Sequence, residues 1–183
     1  MKLGMEPVST PEFVAAMGLH VSSVCVITTA VKGERFGLTA TAVSSVCATP
    51  PRLLVCVNTA GLTHERIVTA GVLCVNVLAE TQDKVAKAFA GMLGRDFDRF
   101  TAGEWSTLAT GSPVLSEATA AFDCRICETV SQFSHSIFIC EVVATHSRVA
   151  EEPLLYGARR FRTLRKVMTP PTTDDPAMDS LHF

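Results

Sequence analysis

The sequence lacks the charge bias and the long apolar runs that mark several classes of protein. Only 19% of its 183 residues are charged, with 16 basic against 18 acidic side chains and a net charge of −2. Without a basic stripe, no nucleic-acid partner is expected. No window approaches about 18 uninterrupted apolar residues, so no membrane span is expected. Because no apolar run follows the single Lys in 1–7, no secretory signal is expected either, and we expect a cytoplasmic location.

Aromatic residues make up only 7% of the sequence, with one Trp, one Tyr and ten Phe. The sequence also contains no G-x-G-x-x-G loop. A Rossmann dinucleotide site is therefore disfavoured. Cysteine, in contrast, is plentiful, and its odd number of seven favours reduced thiols buried in apolar strands over a disulfide framework. Cys124 and Cys127 form a C-x-x-C, but residues three apart on a strand point to opposite faces. No second C-x-x-C completes a zinc set, so no metal site is expected.

The order of predicted elements favours a mostly β fold. About seven extended segments and three short helices are expected, including a helix that begins with a capping box at Ser9 and two long paired strands over 118–129 and 136–147. So few helices among so many strands predict a barrel or a sandwich and not alternating βαβ units. We expect one domain over 1–168 and a flexible tail over 169–183, where Pro, Thr and Asp dominate.

The stretch 37–46 is the most informative for function. Hydroxyl side chains alternate along a segment that is expected to be extended over 36–43, and two serines come next before a Thr-Pro-Pro break. Small side chains leave the backbone open to a flat ligand, and hydroxyls with free N–H groups at a strand end can hold a phosphate. The alternative is an exposed strand face, on which Thr serves β-propensity alone.

Together with motifs nearer the C-terminus, this stretch resembles the flavin reductase family, which is built on the FMN-binding split barrel. The likeness is greatest to the reductase component of two-component flavin-dependent monooxygenases, such as the 4-hydroxyphenylacetate type. The resemblance extends from about residue 13 to about residue 164, and it rests on the order in which the motifs occur along the chain. The motifs are Pro50-Pro51, 54–58, 74–78, Phe89-Ala90-Gly91, 98–100, Trp105, 111–115, His135, and Tyr156 with 159–161.

The resemblance implies a mostly β, Greek-key-like split barrel with a few peripheral helices. A flavin ring is expected against the segment 39–43 and the strand end at 56–58, with 89–91 closing over its other side. The residues assigned to cofactor binding are Thr39, Ala40, Thr41, Ser44, Ser45, Val46, Cys56, Val57, Asn58, Thr63, His64, Phe89, Ala90, Gly91, Phe100, Tyr156, Arg159 and Arg160.

Four of these residues are assigned for specific chemical reasons. Thr63 and His64 begin a short helix and are expected near the flavin phosphate, because a helix N-terminus favours an anion. Arg159 or Arg160 is expected to bring positive charge to a flavin or nucleotide phosphate. Judged from the residues without the resemblance, the alternative for these two arginines is a solvated pair on the protein surface.

His135 is the candidate catalytic residue, expected close to the nicotinamide. The family often has Gly-Asp-His or Gly-Thr-His here, whereas this sequence has Phe133-Ser134-His135. Phe133 therefore replaces a flexible Gly and could narrow the nicotinamide site. A structural imidazole is the alternative role for His135.

The resemblance implies an NAD(P)H:flavin oxidoreductase that passes reduced flavin to a separate monooxygenase and forms a homodimer. The sequence leaves open FMN or FAD, and NADH or NADPH. Two other functions also stay open: a flavin- or haem-binding module of the same barrel that catalyses nothing, and a flavoenzyme that reduces a bound substrate directly.

Overall fold

A computed structural model describes residues 6–148 and 151–164 of the chain. Within these ranges the helices are α1 (Thr10–Met17), α2 (Leu62–Ala70) and α3 (Asp83–Phe89), with a 3₁₀ turn at Arg99–Ala102. The strands are β1 (Ser22–Ser23), β2 (Cys25–Val31), β3 (Glu34–Ala40), β4 (Val43–Ala48), β5 (Pro51–Asn58), β6 (Val72–Val77), β7 (Trp105–Thr107), β8 (Pro113–Leu115), β9 (Ala120–Gln132), β10 (His135–Ser147), β11 (Leu155–Gly157) and β12 (Arg160–Arg162).

Seven strands form the main sheet, in the antiparallel order β3-β2-β6-β9-β10-β5-β4. β3 and β4 lie at opposite edges of this sheet, yet only Thr41 and Ala42 separate them along the chain. The Cα atoms of Ala40 and Val43 can therefore be no more than about 11 Å apart. The sheet must curl until its edges approach each other. Within the described residues the two edges share no ladder, so the barrel is split, which confirms the predicted fold class.

The core has two large parts, one on each side of the sheet, and a small third cluster of Cys74, Val114 and Ala121. Inside the barrel, apolar side chains of β2, β5, β6, β9 and β10 pack together, and Leu38, Ala40 and Val43 from the edges join them. Outside it, α3 packs against Val24, Val26 and Leu115 through buried residues that include Phe89. The first cluster holds the barrel shape, and the second holds α3 beside β3.

Several local predictions are confirmed. In the capping box of α1, the Ser9 hydroxyl accepts from the Glu12 N–H, and the Glu12 carboxylate accepts from the Ser9 N–H at 3.0 Å. The turn signal Lys32-Gly33-Glu34 between two extended segments predicts a hairpin, and β2 and β3 pair as one. β9 and β10 pair along their length. Two predictions are wrong. The described residues hold twelve strands and not about seven, because five short strands pair outside the main sheet. The segment 36–43 is also not a single strand. β3 ends at Ala40 because the chain leaves one edge of the sheet there and crosses to the other.

Two further expectations concern the chain as a whole. The boundary at residue 168 and the tail over 169–183 lie outside the described residues. Among the residues that are described, no helix combines the length and the apolar character needed to cross a bilayer.

Candidate functional site

A cleft of about 730 Å³ opens where the two edges of the sheet approach each other. We call it the main cleft. Its floor comes from the end of β3, the crossing at Thr41-Ala42 and the end of β5, and its sides come from α3 and the start of β10. The lining residues are Val24, Leu38, Thr39, Ala40, Thr41, Ala42, Cys56, Val57, Asn58, Ala60, Gly61, Phe89, Ala90, Met92, His135, Tyr156 and Phe161.

The structure brings together ten of the residues expected at the site. Those in the main cleft are Thr39, Ala40, Thr41, Cys56, Val57, Asn58, Phe89, Ala90, His135 and Tyr156. The other nine do not line it: Ser44 and Arg159 line an adjoining cleft, and Ser45, Val46, Thr63, His64, Gly91, Phe100 and Arg160 line neither.

Three expected ligands turn their polar groups into the fold. The Thr39 hydroxyl donates to the carbonyl of Ala86 in α3 at 2.7 Å, and the Thr63 hydroxyl donates to the Gly37 carbonyl at 3.2 Å. The His64 Nε2 atom lies 2.8 Å from the Ser136 hydroxyl, and its ring packs near Phe138. In this arrangement these side chains secure the walls of the main cleft.

Backbone groups at the start of α2 are better placed for an anion than those side chains. Gly61 is the N-cap residue of α2, and no side chain of the described residues caps it. Ala60 and Gly61 both line the main cleft. Because the first N–H groups of a helix have no partner inside the helix, the end of α2 offers donors to a phosphate.

Asn58 and His135 stand side by side at the rim, where the ends of β5 and β10 are paired. The Asn58 side-chain oxygen accepts from the Ala60 N–H at 2.9 Å, which shapes the turn beneath the cleft. The Nδ1 atom of His135 lies 2.9 Å from the Ser134 hydroxyl. This contact orients an otherwise exposed imidazole.

Phe89 forms a rigid wall on the other side. Its ring lies 5.0 Å from Phe100 and 5.3 Å from Trp105, centroid to centroid, and those two rings are also in contact. A Cβ atom added at Gly37 would lie 2.6 Å from the Phe89 ring. Only glycine at this position lets Phe89 pack directly on β3. Phe100, expected at the cofactor, supports Phe89 from behind.

A second cleft, of about 830 Å³, shares Thr41, Ala42, Cys56 and Tyr156 with the main cleft. Residues of α1 form its far side, and Ser44 and Arg159 also line it. Tyr156 lies between the two clefts, where its ring packs against Phe161. The two clefts are therefore continuous across the crossing at Thr41-Ala42.

Seven residues of the main cleft were not assigned to cofactor binding from the sequence, although Ala42 lies within the segment 39–43 that was expected against the flavin ring. They are Val24, Leu38, Ala42, Ala60, Gly61, Met92 and Phe161. Two of them carried a usable signal: Ala42 continues the small-residue run, and Gly61 lies two residues before Thr63, where the helix expected near the phosphate was predicted to begin. Met92 had none, because its place depends on how the chain leaves α3.

The cysteines carry little nucleophilic character. Cys56 lines both clefts, and burial raises the pKa of its thiol, so the neutral form dominates at neutral pH. Cys124 is buried and Cys127 exposed, so the C-x-x-C sulfurs lie on opposite faces, as their spacing predicts. Within the described ranges, all seven cysteines are free and no group of His, Cys, Asp or Glu forms a metal cluster.

We expect the free energy of unfolding to fall as the pH rises from about 9 to 12. Burial raises the pKa of Cys25 and of Cys140 to about 12, from an ordinary value of 9.0. The unfolded chain therefore loses these protons first, and each thiol lowers stability by about 1.4 kcal/mol per pH unit in this window. Urea unfolding at pH 8, 10 and 11 measures the slope, which should become shallower in the double variant Cys25→Ala/Cys140→Ala but not vanish, because burial also raises the pKa of the Cys74 and Cys124 thiols. A free energy of unfolding of the wild type that stays unchanged up to pH 11 would contradict this expected loss of stability.

The fold and the cleft together define a split-barrel protein with room for a flat heterocyclic ring. Comparison with known proteins places the chain in a family. Residues 17–165 match the model of the flavin reductase like domain. The chain belongs to this family, which confirms the resemblance found in the sequence.

Individual relatives agree with this assignment. The chain is 38% identical over 164 residues to FMN reductase (NADH) RutF of Bradyrhizobium diazoefficiens, covering 90% of this chain and 91% of the relative. Among solved structures, it is 28% identical to the NADH:FAD oxidoreductase SgcE6 of Streptomyces globisporus in complex with NAD and FAD fragments, with a TM-score of 0.80 and 90% of this chain and 100% of the other covered. It is 27% identical to BorF, the flavin reductase component of a bacterial two-component tryptophan halogenase, with a TM-score of 0.77, covering 87% of this chain and all of BorF.

Proposed function

We propose that the protein is an NADH-dependent flavin reductase that acts on FMN. When bound, the flavin would supply the hydride acceptor at its N5 atom, and the dihydronicotinamide would supply the hydride from its C4 atom. The observation that carries the proposal is the main cleft, whose volume of about 730 Å³ lies within the range of about 300–1,000 Å³ that is typical of small-molecule sites. Small residues at its floor allow a planar ring to lie flat.

The residues of the cleft supply position and need not supply a proton. Thr41 and Asn58 offer polar atoms to the edge of the ring, and Phe89 limits its tilt from the opposite side. The start of α2 favours the phosphate. Hydride transfer depends mainly on holding donor and acceptor at contact distance, so a site without a catalytic triad is sufficient.

One assay tests this function: steady-state oxidation of NADH and NADPH, each with FMN, FAD and riboflavin. We expect NADH with FMN to give the highest kcat/KM, since FMN reductase (NADH) is the name of the relative at 38% identity. A yellow protein that retains flavin through dialysis but oxidises neither nucleotide would contradict the proposal and favour a non-catalytic flavin-binding module. Turnover only with a third substrate would favour a flavoenzyme that reduces that substrate directly.

Loss of the His135 side chain should weaken the use of NADH selectively. His135 stands at the mouth of the cleft, and its imidazole is oriented by Ser134. We expect His135→Ala to raise the KM for NADH about tenfold, the effect of one lost hydrogen bond to a substrate. The dissociation constant for FMN, measured by quenching of flavin fluorescence, should stay the same. Identical NADH kinetics in variant and wild type would mean that His135 has a structural role and does not contact NADH.

We also propose that the reduced flavin leaves and is used by a separate flavin-dependent monooxygenase component. The cleft is open and holds its ligand with hydroxyl, amide and backbone groups, which favours a moderate affinity. BorF, a relative with the same fold, is the reductase component of a two-component system.

A homodimer is the assembly that we propose. α1 has no buried residue, and Phe13, Val14 and Met17 are 56%, 45% and 50% exposed. All three line the second cleft. A contiguous apolar surface of this kind is typical of a protein interface. A second copy of the chain that covered α1 would bury it beside the flavin site.

We propose the cytoplasm as the location of the protein. All seven cysteines are free thiols, including four that are buried. Reduced cysteines in this number are typical of a compartment that keeps thiols reduced. The same compartment contains NADH.

A further inference from the structure

Phe133 occupies a backbone position that disfavours its side chain. It is the first residue of the two-residue turn between β9 and β10, in which Gln132 pairs with His135. Its φ is +49°, in the left-handed region, which is uncommon for a bulky residue. A hairpin turn with positive φ at this position normally takes glycine. The turn therefore carries strain that glycine would relieve.

Packing of the side chain does not compensate for this strain. The Phe133 side chain is fully exposed and is the most exposed of the large apolar side chains in the described part of the chain. A strained backbone together with an exposed ring has no benefit for folding. Such a combination is typical of a residue that serves a ligand.

The turn is fixed to the wall of the main cleft. The Ser134 carbonyl accepts hydrogen bonds from the Thr59 N–H at 2.9 Å and from the Thr59 hydroxyl at 3.2 Å. Thr59 lies between Asn58 and Ala60, which both line the cleft, and His135 lines it as well. Phe133 itself does not line it, so it does not narrow the cleft as the sequence indicated. Its fully exposed ring belongs to the residue two positions before His135, which lines the cleft.

We propose that Phe133 is a specificity-determining residue that stacks on the adenine ring of the pyridine dinucleotide. The inference rests on the proposed function: the nicotinamide must enter the main cleft to reach the flavin, so the adenylate end of the same molecule remains at the mouth. An exposed aromatic ring there offers a flat apolar surface to a purine. The strained turn presents this ring to solvent and to an arriving nucleotide.

Replacement of the ring separates this role from a structural one. With saturating FMN, we expect Phe133→Gly to raise the KM for NADH about five- to tenfold, while kcat and the KM for FMN stay unchanged. The melting temperature should rise, because glycine relieves the strain. Phe133→Leu, which keeps the strain and the apolar bulk but loses the ring, should raise the KM similarly without that rise. Phe133→Trp should keep the KM near that of wild type.

Reduced nicotinamide mononucleotide, which lacks the adenylate, identifies the ring that Phe133 contacts. Its KM should be the same for wild type and Phe133→Gly. An equal rise in KM with this substrate would assign the contact to the nicotinamide and overturn the proposal. An unchanged KM for NADH in Phe133→Gly would also overturn it. If wild type fails to oxidise NADH with any flavin, the proposed function itself fails.

Discussion

Replacement of Ala42 by Trp should abolish flavin binding while the barrel stays folded. Ala42 lines both clefts at the crossing between β3 and β4, and its side chain is exposed. Its carbonyl accepts from the Cys56 N–H at 3.0 Å, an interaction that no side chain at this position changes. An indole group here would occupy the space in which we place the flavin ring. We expect the dissociation constant for FMN to rise at least about 100-fold, or about 2.7 kcal/mol.

Flavin fluorescence titration measures this effect, and Val143→Trp is the matched control. Val143 is 42% exposed on β10 and lines neither cleft, so it adds the same indole to the surface elsewhere. The control should bind FMN like wild type, and both variants should melt within a few degrees of it, as exposed substitutions usually do. Unchanged FMN affinity in Ala42→Trp would place the flavin outside the main cleft.

Substitution of Gly37 by Ala should damage both stability and the site. The added Cβ would lie 2.6 Å from the Cε1 atom of Phe89 and 3.2 Å from the Ile27 carbonyl oxygen. Phe89 is buried and held by Phe100 and Trp105, so its ring has little freedom to move aside. We expect a loss of about 1–3 kcal/mol in the free energy of unfolding, together with weaker FMN binding, because the displaced ring forms a wall of the cleft.

A double variant distinguishes this clash from a general effect on the strand. In Gly37→Ala/Phe89→Leu the smaller side chain makes room for the new methyl group. Urea unfolding should then show a coupling energy of about 0.5–3 kcal/mol between the two sites. Strictly additive losses would mean that Gly37 matters for some reason other than contact with Phe89.

Local patterns predicted the elements of the fold well. The capping box at Ser9, the turn at Lys32-Gly33 and the long alternating strands β9 and β10 each depend on residues close together in the chain. The break after Ala40 was not predictable in this way. Thr39 and Thr41 alternate as a strand would require, but the chain crosses between two sheet edges at that point, and only the closure of the barrel determines this.

The site was predicted through the order of its motifs and not from geometry. The main cleft unites β3, β5, β10 and the end of α3, which are far apart along the chain, and spacing alone cannot show that they meet. Sequence also cannot show which polar groups the fold uses. Thr63 and His64 follow the pattern of a phosphate site, yet their side chains bond to Gly37 and Ser136. Their assignment to the flavin stays a prediction.

A crystal structure with FMN bound is the most direct test of a flavin site at the split of the barrel. The isoalloxazine should lie flat against Thr41 and Ala42 with its edge at Asn58, its phosphate near the start of α2, and one face open toward His135. A ring bound elsewhere, for example entirely under α1 in the second cleft, with the main cleft closed by side chains, would contradict the account.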